Sequence, residues 1–150
     1  MAIRVAYVTT CRSDYGPSYW LIHDLFHDAR FAPLLIAGGA HLSERHGATV
    51  AELERDGFAL TARVPFLDDD EDAGAAAARA LAGFAALFAR LKPDVVVVYG
   101  DRFELLSVAA AAAITTTPLA HLCGGDLTEG VIDDQVRHAV TKIAHLHFPS

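Results

Sequence analysis

The run Val95-Val96-Val97-Val98-Tyr99 limits the possible folds of this chain more than any other feature. It is continuous and apolar, with Lys92-Pro93-Asp94 before it and Gly100-Asp101 after it. A strand with one wet face alternates apolar and polar residues, whereas an unbroken apolar strand has to be covered on both faces, as in the middle of a parallel sheet. The rest of the chain supports that setting, because short strand-like runs alternate with helical stretches. Residues 3–9 read as a first strand, followed by the polar loop 10–16 and a helix opened by Pro17, a residue suited to the first helical turn. Residues 31–37 form a second strand ending at Gly38-Gly39. A loop through His41 and His46 leads to a short helix over 48–56, closed by Gly57, and residues 60–64 make a third strand. The acidic stretch 68–72 precedes a long alanine-rich helix over Ala73–Leu91, at the end where the helix dipole favours carboxylates. Helices over 103–114 and 133–144 and strands over 118–122 and 146–149 complete the pattern.

Strict alternation implies parallel pairing through right-handed crossovers, and hence an α/β, doubly wound, Rossmann-like sheet. With 53% hydrophobic residues in 150, the chain has apolar material for one well-buried domain. In the strand order 3-2-1-4-5-6, the chain reverses direction between strands one and four, and ligands bind outside the carboxyl ends of those two strands. Three loops then face one crevice: that carrying Arg12, that carrying Asp101 and Arg102, and that carrying Asp126. Strand one lacks the G-x-G-x-x-G fingerprint, which argues against a dinucleotide cofactor.

Charge and composition narrow the partners. A net charge of −7 with twelve Lys and Arg does not suit nucleic acid, which requires a clustered basic surface. No unbroken run of eighteen apolar residues and no signal-peptide layout is visible, so a cytoplasmic protein with no membrane partner is expected. Cys11 and Cys123 fall in loops after non-adjacent strands and are expected to be reduced. His145 and His147 share a strand face, but two ligands without a third are not a zinc set. The acidic stretch 68–72 reads as a solvated helix start rather than a cation site, and no metal is expected.

Five stretches carry a resemblance. Thr10-Cys11-Arg12-Ser13-Asp14-Tyr15-Gly16, Gly39-Ala40-His41-Leu42-Ser43, Leu91-Lys92-Pro93-Asp94, Gly100-Asp101-Arg102-Phe103-Glu104 and Asp133-Asp134-Gln135-Val136-Arg137-His138-Ala139 resemble, in that order, the hydrolysing UDP-N-acetylglucosamine 2-epimerases of the sialic- and legionaminic-acid precursor type. The resemblance implies a glycosyltransferase-B-type fold of two Rossmann-like domains with the active site between them, residues 1–150 being the N-terminal one. It implies a UDP-sugar substrate, no cofactor, and a homodimer formed through this domain. Such enzymes remove the C2 proton of UDP-N-acetylglucosamine as UDP leaves C1, then hydrate the glycal to N-acetylmannosamine. Inverting C2 needs proton removal on one face and delivery on the other, which suits carboxyl groups in different environments.

Residue by residue, Asp101 matches the acid after strand four and is the first candidate for proton transfer at C2; its alternative is a helix N-cap. Arg12 matches an arginine that meets the nucleotide phosphates, for which a planar fork of donors is fitted. Arg102, the Gly16 backbone and His41 match further substrate- or UDP-binding positions, with loop stabilisation as the other reading of His41. The second acid falls among Asp126, Asp133 and Asp134. Asp126 stands where some relatives have Glu, one methylene longer, and a displacement of about 1 Å matters to catalysis. Asp133 and Asp134 also suit the start of a helix. Two further functions stay open: a non-catalytic nucleotide-sugar-binding or dimerisation module, and an epimerase for a 2,4-diacetamido or GDP-linked sugar. Half of a glycosyltransferase is a weaker fit.

Overall fold

A computed structural model of the chain describes residues 1–68, 72–129 and 132–150. Six strands, β1 (Ile3–Thr9), β2 (Phe31–Gly38), β3 (Leu60–Val64), β4 (Val95–Tyr99), β5 (Leu119–Leu122) and β6 (Leu146–Phe148), form one parallel sheet in the order β3-β2-β1-β4-β5-β6. They alternate with helices α1 (Arg12–His27), α2 (Val50–Arg55), α3 (Ala73–Leu91), α4 (Phe103–Ile114) and α5 (Ile132–Ile143). This is the doubly wound order expected from the alternation, and β1 lies between β2 and β4.

The valine run is covered on both sides. Val96 and Val98 enter a core with Ala6, Val8 and Ile36 of the sheet and Ala80, Phe84, Phe88, Val108, Ala109, Val136 and Val140 of α3, α4 and α5. Val97 points the other way, into a core with Val5, Tyr7 and Leu35 and with Tyr15, Ile22, Leu25 and Leu53 of α1 and α2. Ala76, Ala80, Ala109, Ala111 and Ala112 are buried, so small side chains let α3 and α4 lie close together and close to the sheet. By length and composition α3 is apolar enough to cross a bilayer. Arg79 and Arg90 interrupt its apolar run, and its Phe84, Leu87 and Phe88 are buried in the sheet core.

Element boundaries differ from the sequence reading in instructive places. Helix α1 starts at Arg12, and Pro17 lies inside it instead of opening it. The reason is Asp14, whose carboxylate accepts the Thr10 and Cys11 N–H groups and thereby satisfies the helix start early. Pro17 then has no N–H to give the Ser13 carbonyl. Strand β2 continues through Gly38, and the loop beyond it is two short 3-10 turns, Gly39–Leu42 and Glu44–His46. Of the acidic stretch, residues 69–71 lie outside the described residues. Asp72 caps α3 by accepting the Ala75 N–H at 2.9 Å, and Asp68 pairs with Arg79 at 3.0 Å.

Gly39 sets the exit from β2. Its φ of 51° is left-handed, and a Cβ there would lie 2.7 Å from Phe66 Cζ and 3.2 Å from the Thr10 carbonyl oxygen. Gly39→Ala is therefore expected to cost about 1–3 kcal/mol through backbone strain and overpacking. Urea unfolding checks this, and an unchanged midpoint would show that the β2 exit relaxes freely.

Candidate active site

The chain leaves β1 toward β2 on one side and leaves β4 toward β5 on the other, which opens a crevice at the carboxyl ends of these two neighbours. Around it stand the segment from β1 into α1, the turn Gly100-Asp101-Arg102 after β4, and the segment 123–129 after β5.

Arg137 ties two of these together. It is only 6% exposed, on the inward face of α5 beside Val136 and Val140. One terminal nitrogen, Nη2, donates to the Asp101 carboxylate and to Thr128 Oγ1 at 2.8 Å. The other, Nη1, donates to the Asp126 carbonyl oxygen at 2.8 Å and reaches Asp134 Oδ1 at 3.4 Å. Asp134 in turn accepts the Thr128 N–H at 2.9 Å. A guanidinium cannot shed its charge on burial, so it has to be met by carboxylates and carbonyls. Asp101 is thereby committed to Arg137 and does not cap α4, whose N-cap is Arg102.

A second buried network stands at the β1 end. Asp14 accepts from Thr9 Oγ1, from the Thr10 N–H at 2.9 Å and from Thr10 Oγ1 at 3.0 Å. Thr9 Oγ1 is also 2.8 Å from His41 Nε2, and His41 Nδ1 is 2.7 Å from Thr49 Oγ1. Because the Thr9 hydroxyl gives its one proton to the carboxylate, Nε2–H must donate to Thr9, and neutral Nδ1 accepts from Thr49. His41 is fully buried with both nitrogens engaged, so its ring holds the 39–49 loop to β1 rather than presenting an atom to a ligand. Burial pushes its pKa below the ordinary 6.5, against the opposing pull of Asp14. Tyr15 packs edge-on to this ring and donates to Asp56 at 2.6 Å, binding α1 to the end of α2.

The remaining candidates are placed as follows. Arg102 Nε donates to Glu104 Oε1 at 2.8 Å; Glu104 is fully buried, and its Oε2 has no hydrogen-bond partner among the described residues. The Arg102 side chain is 43% exposed and remains reachable. Arg12 pairs with Glu52 of α2 at 3.4 Å, its side chain 76% exposed, apart from the Arg137 cluster. Gly16 lies in α1 with open space where a Cβ would stand. Asp126 contributes its carbonyl to Arg137, but its carboxylate turns to Ser150, whose Oγ donates to it at 2.8 Å. Asp133 is partly buried in the first turn of α5. Both cysteines are free, and contact with the Cys123 thiol, followed by burial, pushes the Tyr99 phenol up to about 12.

Sequence reasoning passed over Arg137, Asp14 and Glu104 as individual site residues. Arg137 carries a usable signal, a charged residue between Val136 and Val140 on the apolar face of an amphipathic helix. Asp14 carries another, an acid at the third helical position beyond a polar turn. Glu104 has none, because its burial depends on where Arg102 and the sheet lie.

Because the folded His41 pKa is lowered, the unfolded chain binds the proton more readily. Its contribution is intact above about pH 6.5 and is lost as pH falls below that value, by at most about 1.4 kcal/mol per pH unit. The stability difference between the native chain and His41→Gln should therefore shrink on acidification from about pH 7 to 5 in urea unfolding. A difference independent of pH would refute a buried neutral His41.

Comparison with known proteins identifies the family. Residues 23–150 match the family described as UDP-N-acetylglucosamine 2-epimerase. The chain is 40% identical over 150 residues to the GDP/UDP-N,N'-diacetylbacillosamine 2-epimerase (hydrolyzing) of Campylobacter jejuni, covering 98% of this chain and 39% of that protein. It is 35% identical over 151 residues to the UDP-N,N'-diacetylbacillosamine 2-epimerase (hydrolyzing) of Legionella pneumophila, covering 99% and 40%. The chain thus spans about 40% of the length of these relatives. Among solved structures, the UDP-GlcNAc 2-epimerase of Neisseria meningitidis bound to UDP-GlcNAc superposes with a TM-score of 0.87 at 15% identity, over 98% of this chain and 40% of that one. A second UDP-N-acetylglucosamine 2-epimerase gives 0.88 at 20% identity, over 99% and 42%. At such identities the structures establish a shared fold, and the family match takes in the segments after β4 and β5 and the Arg137 cluster: the chain belongs to the UDP-N-acetylglucosamine 2-epimerase family.

Proposed function

We propose that this chain is the N-terminal, proton-transferring half of a hydrolysing 2-epimerase acting on a UDP-linked 2-acetamido sugar. The observation that carries the reading is the Asp101 carboxylate held by buried Arg137 at the end of β4, beside the crevice, with Asp134 on the same guanidinium. In this reading Asp101 takes the C2 proton, the electron pair of that C–H bond forms the C1–C2 double bond of a glycal, and the C1–O bond to UDP breaks. Water then adds its oxygen at C1 and gives up a proton to a carboxylate, while an acid returns a proton to the opposite face of C2. Of the three acids on the β5 side, Asp134 shares the Arg137 guanidinium with Asp101 and is the first candidate for this acid, with Asp126 and Asp133 as the others. Arg102 and Arg12 are the cations offered to the diphosphate, and Gly16 leaves room for it to approach α1. A second domain closes the other side of the crevice, and the protein works as a homodimer in the cytoplasm.

Two substrates fit this chemistry. UDP-N-acetylglucosamine yields N-acetylmannosamine, and UDP-N,N'-diacetylbacillosamine yields the corresponding 2,4-diacetamido sugar. The 40% and 35% identities to enzymes named for diacetylbacillosamine, against 29% to the UDP-N-acetylglucosamine 2-epimerase of Neisseria meningitidis, favour the diacetamido sugar. Release of UDP from each donor by the full-length protein decides between them, and inertness toward both removes the assignment.

In the full-length enzyme, Asp101→Asn should lower kcat by about 100-fold or more while leaving UDP binding within about twofold. Undiminished turnover would take Asp101 out of the mechanism. The isolated 150-residue chain should show little or no turnover, because one wall of a cleft neither excludes water nor preorganises its donors. Rapid sugar release by this piece alone would contradict that.

A further inference from the structure

We propose that His121 and Thr141 are positioning residues for Asp101, acting through the carbonyl of Gly100. The proposal rests on the reading of Asp101 as the proton-transfer group and adds how its backbone is held.

His121 lies on β5 and is 1% exposed. Its Nε2 is 2.7 Å from the Gly100 carbonyl oxygen, and its Nδ1 is 2.9 Å from Thr141 Oγ1. A carbonyl oxygen can only accept, so Nε2 carries the proton and donates to Gly100. In the neutral ring Nδ1 then accepts the Thr141 hydroxyl proton. Neutrality is favoured by burial, which lowers the ring's pKa, and by the nearby Arg137 charge, against opposing effects of the Gly100 carbonyl and Asp101.

Thr141 stands four residues beyond Arg137 on α5, so both project from the same helix face. Arg137 holds the carboxylate of Asp101 directly, and Thr141, through His121, holds the carbonyl immediately before it. The Gly100 N–H is held as well, donating to the Leu122 carbonyl at 2.9 Å. With the N–H and carbonyl of Gly100 and the Asp101 side chain all tied, the turn cannot rotate without breaking one of these bonds. The β5 loop is shaped around the contact: a Cβ at Gly124 would lie 2.8 Å from both His121 Nδ1 and Thr141 Oγ1. Any side chain there would push ring and hydroxyl apart.

A histidine that merely fills the core would affect stability without selectively affecting the chemical step. The test uses the full-length enzyme with whichever of UDP-N-acetylglucosamine and UDP-N,N'-diacetylbacillosamine the native protein turns over. Thr141→Val keeps the shape and removes the hydroxyl; His121→Phe removes the donor. Each should lower kcat about tenfold or more with KM within about twofold, as expected when a reacting group is displaced but substrate binding is kept. Thr141→Ser and His121→Gln, which keep a hydroxyl and a donor, should recover most of that loss. Nitrogen NMR of the native ring should show the neutral Nε2–H form. If His121→Phe does not fold, Thr141→Val decides the matter. A native kcat in Thr141→Val, a loss shared equally by kcat and thermal stability with no recovery in Thr141→Ser, or an Nδ1–H ring each overturns the proposal. Asp101→Asn separates the two readings: if it retains turnover, the assignment of Asp101 fails, whereas its inactivity beside a native Thr141→Val rejects only the positioning role.

Discussion

Moving a guanidinium out of water costs several kcal/mol even after relaxation, and the cost is offset only when its donors are well matched. Arg137 meets that condition with groups from three separate stretches of chain: Asp101 after β4, Asp126 and Thr128 after β5, and Asp134 one turn back on its own helix. The two loops therefore cannot settle independently. Losing one partner leaves a buried charge short of its counter-charge, a defect of about 3–5 kcal/mol when such pairs are broken. The same interaction brings the most persuasive acid of the sequence to the mouth of the crevice and keeps it there.

The β1 side solves a related problem with the opposite charge. Asp14 is buried at the start of α1 and is met by N–H groups and threonine hydroxyls rather than by a cation, which is the arrangement a helix N-terminus offers an anion. Through Thr9 it reaches His41 and then Thr49, so the exit of β1, the loop after β2 and the start of α2 share one set of hydrogen bonds. Arg102, tied to buried Glu104, stands at the start of α4, on the β4 side of the crevice. The crevice thus has a floor braced by buried polar networks on both sides, while Arg12 and Arg102 keep their charged ends exposed to solvent.

How much of this was legible in advance follows from the range of the interactions. The valine run announced a strand with two covered faces, and Val97 does enter a different core from Val96 and Val98. Asp101 was legible as an acid in a turn, but not that its carboxylate would be taken by Arg137 rather than by the start of α4, because the two residues are 36 apart in sequence. Asp126 was legible as a carboxylate in the right loop, yet the loop spends its carbonyl on Arg137 and sends its side chain to Ser150. His41 admits two readings from its loop alone, and only the positions of Thr9 and Thr49 on either side of its ring show a bracing role.

Periodicity, turn residues and the composition of each stretch are local properties, and they were enough to determine the alternation of strands and helices, the parallel sheet and the place of the crevice in it. The direction in which each polar side chain turns is not local. It is set by desolvation, since a buried charge or ring nitrogen takes whichever partner packing brings within about 3 Å, and that partner comes from another element. The sequence supplied the acids and arginines around the crevice; only the packing of α5 against β4 and β5 decided which of them hold one another and which remain open to a ligand.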